Sequence, residues 1–248
     1  MMNRQVLKGH RNIFASIGIP GLLLFFLCLL LTGCDGHFLS IDCIGSSGYC
    51  GSPPTPPHAP FALIATATAI TSSKPLVTDA LSKQDSYHWA VDSACSFHSG
   101  AYYVKFSNRS GGTYTCDSNK LSYRNVAIAM DVTLISGDSA GILFRASPDL
   151  NNFYEFMISR GQFVLVKFVN NNASLIIPPL PSSVIHDLNH TNRLLVIARG
   201  DDFQLFINGT FVGEAHDDTL PSAGYVGVSL AYAPKGEASF SNLVIYQA

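Results

Sequence analysis

Charge is scarce in this sequence. Only 13% of its 248 residues are charged, about half the usual share, and 15 basic residues stand against 17 acidic ones for a net charge of -2. No run of like charges forms a tail or a patch. Nucleic acid is thereby excluded as a partner, because phosphate binding needs clustered Lys and Arg. Glutamate is scarcer still, occurring only as Glu155, Glu214 and Glu237, none near another. Hydrolysis of a glycosidic bond requires two carboxyls about 5 to 9.5 Å apart. So sparse a set, with Asp131 alone in its strand, argues against such a pair. No G-x-S-x-G elbow and no CxxC pair is present, which removes the usual signs of a serine hydrolase or a zinc site. Sustained helical periodicity is also missing. The single tryptophan, Trp89, reads as a core residue.

The apolar share, 47%, is concentrated first at the N-terminus. Arg4, Lys8 and Arg11 precede an uncharged core, Gly21 to Leu31, too short alone to cross a bilayer interior of roughly 30 Å. It ends in Leu31-Thr32-Gly33-Cys34, which resembles the lipobox of bacterial lipoproteins. That resemblance implies removal of residues 1–33 and acylation of Cys34, which then holds the chain to the membrane. Acyl chains contribute about 0.8 kcal/mol per buried methylene, so multiple acylation anchors firmly. The competing reading is an uncleaved signal anchor over Ile13 to Thr32, interrupted at Pro20-Gly21. Both place the remainder outside the cytoplasm at a membrane. The sequons at Asn108, Asn172, Asn189 and Asn208 matter only in a eukaryotic secretory route, which a lipobox argues against.

Residues 34–60 hold little that could form a core. GSPPTPPHAP predicts an extended, semi-rigid spacer. With Cys28 in the leader and Cys34 lipidated, Cys43, Cys50, Cys95 and Cys116 remain, and four cysteines allow three connectivities. The Pro-rich spacer between the two pairs favours Cys43–Cys50 in the tether and Cys95–Cys116 in the domain, in keeping with an oxidising compartment.

Residues 61–248 read as one all-β domain. Phe61 to Ile70 could be strand or helix. Gly100 to Ser107 and Val126 to Ile135 are strands, and hairpins follow. Phe153 to Ser159 meets Gln162 to Val169 across Arg160-Gly161. Pro178, Pro179 and Pro181 predict a surface loop running to about Asn192. Phe203 to Ile207 turns at Asn208-Gly209, a type I′ signal, because both turn positions need positive φ. Short strands at this spacing predict a sandwich or jelly roll of antiparallel sheets.

The residues GILFRASPDLNNFYEFMIS, RGQFVLVKFV, NRLLVIARGDDFQLFINGTFVG, GYVGVSL and FSNLVIY carry a family likeness. Over about Ser86 to Tyr246 the chain resembles the concanavalin A-like jelly roll. More narrowly it is similar to bacterial laminin-G-like modules and to the 3-keto-disaccharide hydrolase-type domain. The resemblance implies a binding or interaction module with a glycan as leading ligand. A hydrolase of keto-disaccharides, or a module docking an envelope protein without catalysis, are its alternatives. Strand alternation puts Arg145 and Glu155 together on a concave sheet face if the aromatic-rich sides pack inward. They then form either a ligand site or a cross-strand ion pair. Asp149, Asn151 and Asn152 lie where laminin-G-like modules contact partners. Asp138 and Asp217-Asp218 could hold calcium, but solvated turn residues are the simpler reading, as are surface histidines for His186 and His190, so no cofactor or metal is expected.

Overall fold

The computed structural model describes residues 61–108, 110–232 and 234–248. The leader, Cys34, the Cys43–Cys50 pair and the Pro-rich tether lie outside the described residues. The first described element is α1 (Phe61–Thr71). Its Ala-rich FALIATATAIT, which the sequence left open, suits a helix because alanine is the best helix former. Fourteen strands follow: β1 (Val77–Asp79), β2 (Cys95–His98), β3 (Ala101–Ser107), β4 (Gly112–Tyr123), β5 (Val126–Ser136), β6 (Ser139–Ala146) and β7 (Phe153–Ile158), then β8 (Gln162–Val169), β9 (Asn172–Pro181), β10 (Asn192–Arg199), β11 (Asp202–Ile207), β12 (Thr210–His216), β13 (Gly224–Tyr232) and β14 (Lys235–Gln247).

They form two antiparallel sheets. One has the order β12-β11-β10-β5-β14-β3-β2, with β1 also pairing β14, and the other has the order β4-β13-β6-β7-β8-β9. Alternation along the strands sends one set of side chains into the space between the sheets. Tyr102, Met130, Phe144, Tyr154, Phe156, Phe203 and Phe240 fill it. On the far side of the eight-stranded sheet, Ala67 and Ile70 of α1 pack on Ala127, Ile197 and Phe206. Trp89 is buried in the main core and donates its indole N–H to Asp79 Oδ2 at 3.1 Å. The expected hairpin turn is present, with φ of 51° at Asn208 and 79° at Gly209.

Cys95 and Cys116 form a disulfide with a Cα–Cα distance of 6.3 Å. It joins the terminal strand of one sheet, β2, to the terminal strand of the other, β4. Nearby, the Ser118 hydroxyl donates to the Tyr87 carbonyl, and Ala90 N donates to the Asp117 carbonyl at 3.0 Å. The segment from β1 to β2 is thereby sewn across the side of the sandwich.

One sequence expectation needs correction, and one strand went unpredicted. The loop foreseen from Pro178 is strand as far as Pro181. β9 is the last strand of its sheet, and an edge strand tolerates residues without an N–H because one side has no ladder partner. β4 gave no strand signal, since GTYTCDSNKLSY mixes turn formers with polar residues. Its pairing with β13 and the disulfide override that weak local preference.

Candidate functional site

The outer face of the six-stranded sheet, away from the main core, carries a second apolar cluster. Leu143, Phe153, Met157, Val164, Val166 and Phe168 belong to it. Glu155 sits among them, paired with Leu143 on one side and Val166 on the other. Its side chain is fully buried, and among the described residues neither carboxyl oxygen has a partner in good hydrogen-bonding geometry. Burial disfavours the charged form and lifts its pKa from 4.5 to about 8, with the Ser229 hydroxyl opposing the shift. In the sheet, Gly141 separates the strands of Ser229 and Glu155, and it must remain glycine: a Cβ there would overlap the Phe156 carbonyl oxygen.

Strand register puts Asp117, Gly227, Leu143 and Glu155 in one lateral row across β4, β13, β6 and β7. Three strand spacings of about 4.8 Å separate the two acidic residues by roughly 14 Å of backbone. The Leu143 side chain stands between them. The β4 side of this face is polar, with Thr113 and Thr115 half-buried, Asp117 buried, and half-buried Tyr225 packed against the apolar cluster. A Cβ at Gly227 would approach the Cys116 carbonyl oxygen to 2.6 Å and Leu143 Cδ2 to 3.2 Å, so only glycine fits between Asp117 and Leu143. Sequence reasoning missed Asp117 and Tyr225. Nothing in GTYTCDSNKLSY marks a strand, so nothing marked Asp117 as facing outward.

Arg145 does not share this face with Glu155. The pairing of β6 with β13 slips by one residue here, from Gly227↔Leu143 to Tyr225↔Ala146, and Arg145 has φ of 52°. A bulge of this kind re-aims the side chain it carries. The guanidinium enters the end of the sandwich. It donates to the Arg124 carbonyl from Nε at 3.2 Å and Nη2 at 3.1 Å, to the Leu220 carbonyl at 3.2 Å, and to the Gly200 carbonyl. Its Cζ lies 5.2 Å from the centre of the Phe203 ring. Burial lowers its pKa, with the Tyr154 hydroxyl opposing. Three loops are gathered by one buried cation, and the expected cross-strand pair with Glu155 does not form.

Beside it, the Tyr154 hydroxyl donates to Asp217 Oδ1 at 2.7 Å and accepts from Leu220 N at 3.0 Å. Lys167 Nζ lies 2.5 Å from Asp217 Oδ2. Burial alone would raise the Asp217 pKa, but hydrogen bonds from Lys167, Tyr154 and Thr219 hold it at about 2. Tyr154 is raised in turn by burial and by Asp217.

Asp149, Asn151 and Asn152 spend their polar atoms on neighbouring turns. Asp149 accepts from the Ser147 hydroxyl at 2.5 Å and from Asn151 N at 3.1 Å and Nδ2 at 2.7 Å, which lowers its pKa. Asn151 Oδ1 accepts from Asn171 Nδ2 at 2.5 Å, and Asn152 Oδ1 from Asn170 N at 2.9 Å. These bonds dock the β6–β7 loop on the β8–β9 turn. His186 Nδ1 lies 2.9 Å from the Thr191 carbonyl and His190 Nδ1 3.2 Å from that of Leu188.

No protein-family model matches the chain, and no curated protein matches it. Solved structures do resemble it. The carbohydrate-binding module CBM66 from Bacillus subtilis is 22% identical with a TM-score of 0.56, over 64% of this chain and 95% of that one. A Bacillus subtilis protein of unknown function with a galectin-like fold is 16% identical with a TM-score of 0.55, over 71% and 96%. The fold is the concanavalin A-like jelly roll. The Bacillus licheniformis beta-glucanase is a further relative of this jelly roll in shape, at 11% identity and a TM-score of 0.53, over 71% of this chain and all of that one. Likeness at such identities speaks for architecture, and ligand must be argued from the site.

Proposed function

We propose that the chain is a membrane-tethered, extracytoplasmic carbohydrate-binding module that lacks hydrolytic activity. The separation of Asp117 from Glu155 carries this reading. A retaining or inverting glycosidase brings two carboxyls within about 9.5 Å of each other, whereas these two hang from backbones about 14 Å apart with a leucine between them. What the face does offer near β4 suits sugar recognition: an aromatic ring at Tyr225, a carboxyl at Asp117 and threonine hydroxyls. Similarity of shape to a carbohydrate-binding module supports the same choice. In this reading residues 1–33 are removed, Cys34 carries lipid, residues 34–60 form the spacer and residues 61–248 the binding domain.

A glycan panel tests it, scored for both binding and turnover. The wild-type domain should retain at least one glycan without cleaving it, and Asp117→Ala and Tyr225→Ala should each weaken retention at least tenfold. Turnover, or silence on the panel together with a co-purifying envelope protein, would overturn the proposal. For the anchor, Cys34→Ala should release the protein from membranes, and retained anchoring would favour the uncleaved helix.

A further inference from the structure

Three turns meet at the end of the sandwich away from Arg145. They are the β5–β6 turn with Gly137 and Asp138, the β7–β8 turn with Arg160 and Gly161, and the entry to β14 at Lys235. Between them lies an open depression of ≈ 470 Å³, lined by Ser136, Asp138, Ser159, Arg160, Gln162 and Lys235 among others. Small-molecule sites occupy about 300–1,000 Å³.

The charges of this depression are unspent. Lys167 pairs with Asp217 and Arg193 with Asp131 elsewhere on the surface, and Lys105 takes up Glu237, which pairs with Ser136 at the margin of the hollow. Among the described residues, the side chains of Asp138, Arg160, Gln162 and Lys235 make no hydrogen bond or ion pair. In a chain with so little charge, two cations and one carboxyl around a single hollow are a local concentration. Their backbones are fixed. Asp138 N donates to the Ala231 carbonyl at 2.9 Å, and Ser159 N donates to the Gln162 carbonyl at 2.8 Å. Gly137, at φ of 109°, has no room for a Cβ, which would meet Ala231 O at 3.0 Å and Gly236 Cα at 3.1 Å. The side chains therefore project from tight, hydrogen-bonded turns. Burial raises the Asp138 pKa and Arg160 opposes it, so the two are within electrostatic reach across the hollow.

We propose that this depression binds a sugar bearing a carboxylate, a uronate, gripped through its carboxylate by Arg160 and Lys235. The planar guanidinium fork matches a carboxylate, and the ammonium adds a point charge. Asp138 and Gln162 accept the ring hydroxyls, and Ser136 and Ser159 line the floor. The assignment rests on the carbohydrate-binding reading but uses a different surface from Asp117 and Tyr225.

The test is amide chemical-shift titration of the 61–248 region within the full chain in detergent, with methyl glucuronoside, methyl glucoside and acetate as probes. Glucuronoside should shift the amides of Asp138, Arg160 and Gln162 saturably and bind at least tenfold more tightly than glucoside or acetate. Arg160→Ala and Lys235→Ala should each weaken it about tenfold, and added salt should weaken it further because the cations are exposed. Equal binding of glucoside, equal binding of acetate, or indifference to both substitutions would each overturn the assignment. Shifts confined to Asp117 and Tyr225 would sink the uronate site and leave the carbohydrate-binding reading standing. No binding of any sugar on either surface would sink both.

Discussion

Arg145 and Glu155 lie on paired neighbouring strands and face opposite sides of the same sheet. One residue of bulge in β6 separates their roles. Arg145 ties the Arg124, Gly200 and Leu220 carbonyls together inside the sandwich end, while Glu155 is isolated on the outer face.

Arg145→Lys should therefore destabilise the domain, by about 2 kcal/mol, because an ammonium cannot span three carbonyls held for a planar fork and leaves buried acceptors unpaired. Urea unfolding measures this as a lower midpoint with unchanged slope. Glycan binding at Asp117 and Tyr225 should persist. An unchanged midpoint would contradict the structural role.

Glu155 predicts a pH dependence whose sign is fixed by its raised pKa. Above pH 4.5 the unfolded chain has lost this proton, whereas the folded chain keeps it until about pH 8. Stability is therefore fully present below about 4.5 and is lost as pH rises toward 8. The loss between pH 5 and pH 7 should be on the order of 2–3 kcal/mol from this group. Glu155→Gln should flatten the profile and leave the domain more stable than wild type at pH 8. Thermal melts across that range decide it, and parallel profiles would refute it.

The disulfide prediction is simpler. Non-reducing mass mapping should link Cys95 to Cys116, as their geometry requires. Cys95→Ser with Cys116→Ser should lower stability by about 3 kcal/mol, the typical contribution of a bridge closing a loop of this size. Reduction of the wild type should reproduce the shift in a denaturant titration, and equal midpoints would argue that the sewn margin holds without it.

Tyr154→Phe should cost about 1–2 kcal/mol, since it removes a donor to Asp217 and leaves Leu220 N without its acceptor. It should also bring the Asp217 pKa up from about 2, which carboxyl NMR can follow. A titration unmoved by the substitution would mean that Lys167 alone sets it.

Much of the architecture was legible beforehand, and the reason is periodicity. The alternation of FYEFMIS against QFVLVKF and the Asn208-Gly209 turn both state their geometry in residue types. The Cys95–Cys116 bridge followed from where the Pro-rich spacer divides the cysteines. β4 was not legible, because its strand state is imposed by β13 and by the disulfide. The site was less legible still. Alternation places Arg145 beside Glu155, and only a positive φ at a residue that is neither Gly nor Asn turns it inward. No residue type announces that bulge.

The prolines of β9 bear on how copies behave at close quarters. This margin exposes Leu175 and Leu180, at 46% and 41%, on the outermost strand. Exposed apolar residues on an unpaired strand edge are a template for a neighbour's backbone. Pro178, Pro179 and Pro181 have no N–H to offer such a neighbour. Domains crowded laterally on one surface would find few donors for strand exchange along residues 178–181, which disfavours pairing of one copy's sheet with the next at that end of the rim.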